Sequence, residues 1–251
     1  MLTLVSLNRW KAAGIHLAAS ALIGASMLAL MFGLWYRPPF FEAARGGGLI
    51  VVLIGVDVVL GPLLTLIVFN PEKKSLRFDL ATIVFFQIAA LIYGLSVMFS
   101  ARPAYLVYTK DQFDLIAAND IDEASLAKAK TPFDAVPLTG PRLAAVRYPR
   151  DPNEKNKLVM GLLSGVDISQ LPEYFIPFED VEPVVAMRGH TLAELKKKDP
   201  AAAPGIDAAV RAAGRSEADL AYLPVKARTT VVALVDVKTG AFVDLVPANG
   251  W

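Results

Sequence analysis

The 251-residue chain contains no cysteine and only two histidines, His16 and His190. The first absence removes disulfides, thiolate nucleophiles and Cys-ligated zinc or iron–sulfur centres together. No phosphate loop, dinucleotide fingerprint or metal-ligand spacing is present, so no cofactor is expected. Formal net charge is +1, and the portion after residue 100 sits near −2 with 18 Lys+Arg against 20 Asp+Glu. No basic surface for nucleic acid follows from that balance.

A hydrolytic site is equally hard to build. Gly161-Leu162-Leu163-Ser164-Gly165 puts Ser164 one place off the G-x-S-x-G elbow. His190 would have to serve as its base, yet it reads more simply as a surface residue before a capped helix. Glu179 and Asp180 read as solvated charges in a polar loop, and Lys196, Lys197 and Lys198 as cations complementing a helix C-terminus. No catalytic residue is assigned.

What the chain has in abundance is apolar length. Residues 12–36, 49–69 and 80–99 each approach the roughly 20 apolar residues that a ~30 Å hydrocarbon core demands. The reading is a membrane protein with three transmembrane α-helices in residues 1–100, followed by an α+β extramembrane domain in residues 101–251. The first run is too long for a signal h-region and lacks a small-residue cleavage site before Arg37, so it is expected to be an uncleaved anchor. An N-terminus inside puts Arg9, Lys11, Lys73, Lys74 and Arg77 in the cytoplasm, against Arg37, Arg45, Arg102 and Lys110 outside. Lys73, Lys74 and Arg77 crowd one short loop and act as its cytoplasmic anchor; the large domain then lies outside the cytoplasm.

The second run holds Asp57 near its centre. An ionisable side chain at the bilayer midplane costs about 3 kcal/mol even on lenient insertion scales, so it needs a partner, a proton or a polar cavity. Asp57, Gly61 and Thr65 share a helix face by their spacing, and Gln87 lies on a small or polar face of the third run with Ala90 and Gly94. Ala21, Ala25, Ala29 and Gly33 form a small-residue stripe on the first. Pro62 removes a backbone donor one turn beyond Asp57 and loosens the helix there. At 1.5 Å per residue, Asp57 lies about 18 Å deep, Ser26 about 21 Å and His16 about 6 Å. Ser26 is thus the expected donor to Asp57, whereas His16, closer in height to Thr65, reads as interfacial packing.

In the second half, 105–109 and 113–117 read as a hairpin turning at Lys110 and Asp111, with Asn119 or Asp120 capping a helix to about Lys130. A strand is expected over 142–148 and a helix over 153–163. Tyr174, Phe175 and Phe178 are expected to cover a core edge. Thr191 and Glu194 form a capping box for a helix through Lys198, with further helices over 203–213 and 216–222. A second hairpin closes the chain, 229–237 and 242–246 around Lys238, Thr239 and Gly240. Several helices against a small antiparallel sheet is the expected result.

Separated motifs then agree in order. They are Arg9-Trp10-Lys11-Ala12-Ala13-Gly14-Ile15-His16-Leu17, Pro38-Pro39-Phe40-Phe41, the run from Gly55-Val56-Asp57 to Gly61-Pro62-Leu63-Leu64-Thr65, and Asn70-Pro71 with Lys73-Lys74-Ser75-Leu76-Arg77-Phe78-Asp79-Leu80. Together they resemble the TfpX/TfpZ family of type IV pilin accessory proteins. Leu234-Val235-Asp236, Thr239-Gly240 and Trp251 are similar to that family's last hairpin. The resemblance implies a multi-pass bacterial inner-membrane protein with a periplasmic C-terminal domain and no enzymatic activity. It also implies a chaperone-like role in assembling a cognate type IV pilin, with other assembly-platform proteins and membrane lipid as further partners. Under it, Asp57 is a candidate contact for the client; protonated Asp57, or Asp57 bonded to Ser26 within the bundle, is the equal alternative. The rival function is a membrane enzyme or small-molecule transporter subunit using Asp57 as a proton or cation site.

Overall fold

A computed structural model describes residues 8–45 and 47–251; the remainder of the expected membrane half, residues 1–7 and 46, lies outside the described residues. The chain divides into two compact units, one within Met1–Gly33 and Gly46–Ser100, the other formed by Leu34–Arg45 and Ala101–Trp251. The sequence suggests one boundary, near residue 100. The structure adds Leu34–Arg45 to the second unit.

The first unit is helical. Helix α1, Arg9–Leu30, starts where the Asn8 side chain accepts a hydrogen bond from the Lys11 backbone N–H at 2.9 Å. It continues into a π-helical turn, Met31–Trp35. The short helix α2, Phe40–Ala43, belongs to the second unit. Helix α3, Gly47–Gly55, passes without a break through a π-helical turn, Val56–Leu60, into α4, Gly61–Val68. The wide turn lies directly before Pro62, which cannot donate to the preceding turn, so the loosening expected from the sequence takes the form of a π-bulge carrying Asp57. Helix α5 spans Leu76–Ser100. The π turn and α4 pack on both α1 and α5.

Two helices among the described residues are long and apolar enough to cross a membrane, Arg9–Trp35 and Leu76–Ser100. Val56–Val68 is a shorter apolar helix. Few of their apolar side chains are fully buried inside the protein, and Leu22, Ile67, Phe85, Phe86 and Ile92 face outward.

The second unit is a single sheet of eight strands. They are β1 (Pro103–Thr109), β2 (Gln112–Ala117), β3 (Arg142–Val146), β4 (Phe175–Ile176), β5 (His190–Thr191), β6 (Leu220–Lys226), β7 (Val231–Asp236) and β8 (Phe242–Val246). Spatial order is β4-β3-β1-β2-β6-β7-β8, with β5 also on β6. The two expected hairpins form: Thr109 pairs with Gln112 around the Lys110 turn, and β7 returns into β8. The sheet is nevertheless mixed, because β1 runs parallel to β3 and β2 parallel to β6.

One expected helix is a strand. Residues 216–222 give only a 3-10 turn, Glu217–Asp219, before β6 begins. Tertiary pairing overrides local propensity there, since β6 is bonded by β7 along one edge and by β5 and β2 along the other. Pro224 sits in the gap between the β5 pairing, which ends at Tyr222, and the β2 pairing, which starts at Val225, so its missing donor interrupts no ladder. The helix expected to run to Lys130 is also shorter: Asp122 rather than Asn119 or Asp120 caps it, and α6 covers only Glu123–Leu126. The remaining helices are α7 (Pro152–Leu163), α8 (Glu182–Arg188), α9 (Leu192–Lys198, with the Thr191 and Glu194 capping box) and α10 (Ala203–Ala212).

Both sheet faces are covered. Alternation along β7 sends Val231, Ala233 and Val235 to one core and Val232 and Leu234 to the other, which is why that strand reads as a continuous apolar run. The first core also takes Phe178 and Val185 and, from Leu34–Arg45, Phe40 and Ala43. Leu192, Leu195, Ile206 and Val210 of α9 and α10 close the second. Tyr105, Phe133 and Phe175 form a third, aromatic cluster. The 34–45 segment is bonded as well as packed: Gly140 N–H donates to the Leu34 carbonyl (2.6 Å), Arg228 N–H to Ala43 (3.1 Å) and the Thr229 hydroxyl to Glu42 (2.9 Å). Phe40 stacks on Phe242 with ring centroids 6.3 Å apart.

Candidate functional site: a polar cluster among apolar helices

Among the described helices of the first unit, polar side chains converge at one level. The π turn delivers Asp57, 8% exposed, and α4 delivers Thr65. Gln87 enters from α5 and lies against Gly61; a Cβ on Gly61 would fall 2.1 Å from Gln87 Nε2. Gly61 is therefore a close-approach glycine, needed for the space its missing side chain leaves.

Gln87 is the hinge of the cluster. Its Nε2 donates to the Asp57 backbone carbonyl at 3.1 Å, which turns Oε1 toward His16. His16 Nε2 then donates to Oε1 at 2.8 Å, and His16 Nδ1 accepts from the Thr65 hydroxyl at 2.6 Å. The network itself assigns that tautomer. Four groups from three helical segments are satisfied in one chain of bonds, the arrangement that makes polar residues tolerable in an apolar bundle.

Asp57 is the exception. Its carboxylate oxygen Oδ1 is buried without a hydrogen-bond partner. The side chain lines a cavity of ≈ 190 Å³ between α1 and α5, walled by His16, Ala19, Ser20 and Ile23 on one side and by Val84, Gln87, Ile88 and Leu91 on the other. Of the residues singled out in the sequence, Asp57, Gly61, Thr65 and Gln87 come together. Ser26 does not join them: its hydroxyl donates to the Leu22 carbonyl at 2.9 Å, on its own helix. His16 takes a central place that depth counting denied it, and Ser20 is the serine on the cavity wall. The equal height of His16 and Thr65 was the signal available in the sequence. Lys73 forms an ion pair with Asp79 (2.5 Å) in the loop between α4 and α5.

The second unit holds a different kind of polar cluster. Asp114, 1% exposed, accepts from Gln112 Nε2 at 2.6 Å and lines a cavity of ≈ 400 Å³ with Ser169, Asp167 and Lys226, the last two paired at 3.1 Å. Burial pushes the Asp114 carboxyl above the usual carboxylate range, opposed by the hydrogen bond from Gln112. Ser164 and His190 are not joined in a site: Ser164 donates to the Met160 carbonyl and His190 lies on the Tyr222 ring.

A family model described as fimbrial assembly protein FimB matches residues 6–45, the stretch that carries His16, Ser20 and the 34–45 segment. A fimbrial assembly protein of serogroups C1 and C2 of Dichelobacter nodosus is 35% identical over 113 residues, 44% of this chain and 86% of that relative. The chain belongs to the family of fimbrial assembly proteins. Two longer members from the same organism, of serogroups I and E1, are 33% and 32% identical over 170 residues, 67% of this chain. The matched part of this fimbrial assembly family member spans 66% of the length of each of them. No solved structure matches it.

Proposed function

We propose that this protein is a three-span inner-membrane accessory factor that promotes assembly of its cognate type IV pilin into pili, through contacts rather than catalysis. Its membership of the fimbrial assembly family is the observation that carries this reading. The finer assignment, to the TfpX/TfpZ type of accessory protein, rests on the motifs around Arg9, Asp57 and Lys73.

The division of the chain supports three spans. Leu34–Arg45 follows the first apolar helix and Ala101–Trp251 follows the last, yet the two fold as one unit with shared cores. A water-folded unit lies on one side of a bilayer, so the chain between Arg45 and Ala101 crosses an even number of times. Helix α5 is one crossing; the unbroken helical run from Gly47 to Val68, about 33 Å long at 1.5 Å per residue, supplies the other. The outward apolar surface of these helices fits lipid. Lys73 and Lys74 in the short loop, with Arg77 in the first turn of α5, favour the cytoplasmic side for that loop and the periplasm for the second unit.

Deleting the gene and restoring it in trans is expected to abolish and recover surface pili, and the solubilised protein is expected to co-purify with the strain's major pilin. Normal piliation of the deletion strain, together with no pilin in the purified complex, would overturn the assignment. Topology has its own test, made clean by the absence of native cysteine. Single Arg37→Cys and Lys155→Cys proteins are expected to react with a membrane-impermeant maleimide in intact spheroplasts, and Lys74→Cys only after lysis.

A further inference from the structure

We propose that the groove between α1 and α5 is a docking site for the transmembrane helix of the pilin client, which brings a cationic or hydrogen-bond-donating group to Asp57 Oδ1. The proposal rests on the pilus-assembly reading and adds to it a place of contact and its chemistry.

Burial of an unpaired carboxylate oxygen is costly, and more so in hydrocarbon, where no bulk water compensates. Within the site Gln87 bonds both ways, and His16 and Thr65 bond each other. Asp57 Oδ1 is buried with no partner, and its side chain lines the groove. The α1 wall, with Ala19 and Ser20, is low enough for another backbone to approach closely. His16, Ala19, Ser20 and Ile23 on α1, and Val84, Gln87, Ile88 and Leu91 on α5, follow helical spacing, so each wall is a continuous face of the kind a further helix packs against.

Charge selects the occupant. A second copy of this chain would bring no cation to Asp57, because no Lys or Arg occurs between Lys11 and Arg37, between Gly47 and Val68, or between Arg77 and Ser100. Its exposed hydroxyls Ser26, Thr82 and Ser96 are committed to carbonyls of their own helices. Among the described residues, the outward Tyr93 hydroxyl and Trp10 indole N–H are donors a second copy would offer, the first from the face of α5 opposite the groove and the second from the first turn of α1, away from the level of Asp57. A separate helix bearing a donor or cation at that level completes the site.

Photocrosslinking separates these outcomes. With benzoylphenylalanine at Ile88, inside the groove, illumination of piliated cells is expected to give an adduct that reacts with antibody to the major pilin. The same probe at Phe86, on the opposite face of α5, should give about tenfold less. Asp57→Asn keeps the shape and removes the charge, and is expected to lower the Ile88 adduct at least about fivefold at equal protein level. Asp57→Leu, which leaves nothing unpaired, should abolish it. Adducts from Ile88 that contain only a second copy of this chain, or no protein at all as a water-filled cavity would give, overturn the proposal. So do equal pilin yields from Ile88 and Phe86, or an Asp57→Asn yield equal to wild type. If pilin still co-purifies in those cases, the groove is wrong and the assembly role stands; if pilin neither co-purifies nor crosslinks and pili are normal, the assembly reading itself falls.

Discussion

Two buried aspartates divide this molecule's polar residues into two kinds. Asp236, 6% exposed at the end of β7, is fully employed by its own neighbourhood. Its Oδ1 accepts backbone N–H bonds from Lys238 and Thr239 at 2.9 Å each, and Oδ2 pairs with Arg215 at 3.0 Å. Those bonds, led by the one from Thr239, hold its carboxyl below the usual range. The carboxylate is the clasp of the last hairpin, whose Gly240, at φ +81°, lies so close to α8 that a Cβ would fall 1.8 Å from the Glu182 carbonyl oxygen. Asp57, 8% exposed, has an oxygen with no partner and a cavity in front of it. A buried carboxylate that serves the fold is surrounded by donors from its own chain; one that does not is oriented toward something the chain does not contain.

Substitutions can break that contrast. The largest effect on stability is expected at Asp236→Ala, which strips two backbone donors and Arg215 of their acceptor; roughly 2–3 kcal/mol should be lost from the second unit, read as a fall in its unfolding temperature in detergent. Gly61→Ala should displace the far end of Gln87 and cost about 1–2 kcal/mol, the worth of its two hydrogen bonds. Restoring room with Gln87→Ala in the same chain should recover little, because His16 would still lack its acceptor. A double-mutant cycle of thermal stabilities measures this coupling.

The smallest effect is a pH dependence in the second unit. Asp114 has a raised carboxyl pKa in the folded state, so the folded protein binds more protons than the unfolded one between the ordinary carboxylate value and the raised one. Its contribution is fully favourable below the ordinary value and is lost as pH rises through the folded one. Asp236 has the opposite sign: its contribution is present above the ordinary value and is lost as pH falls through the depressed one. Asp114→Asn should therefore raise the unfolding temperature at pH 7 and leave a steeper loss of stability on acidification. An unfolding series from pH 2 to pH 8 reads both.

Much of the local structure was legible because it rests on local chemistry. The Thr191 and Glu194 capping box, the hairpin at Lys110 and the turn before Gly240 are each written within four or five residues. The parallel pairings of β1 with β3 and β2 with β6 were not, since strand direction depends on crossovers spanning tens of residues. Likewise 216–222 has the local composition of a helix, and only its neighbours on both edges make β6 of its second half. In the candidate site, the spacing of Asp57, Gly61 and Thr65 was readable as one face. His16 was not, because depth counting places Cα atoms whereas a histidine and a glutamine reach several ångströms along the bundle and bridge the difference in height. Ser26 sits at the right depth, but a serine inside a helix can bond the carbonyl four residues back, and this one does.

Asp57 is kept for a partner helix and contributes nothing to the protein's own stability. Comparing the thermal unfolding of wild-type and Asp57→Leu protein in one detergent, alongside piliation of the two strains, tests it most directly. The expected result is an unfolding temperature equal to or above that of wild type with surface pili lost. A fall of several degrees, with the surviving protein still supporting normal pili, would contradict it.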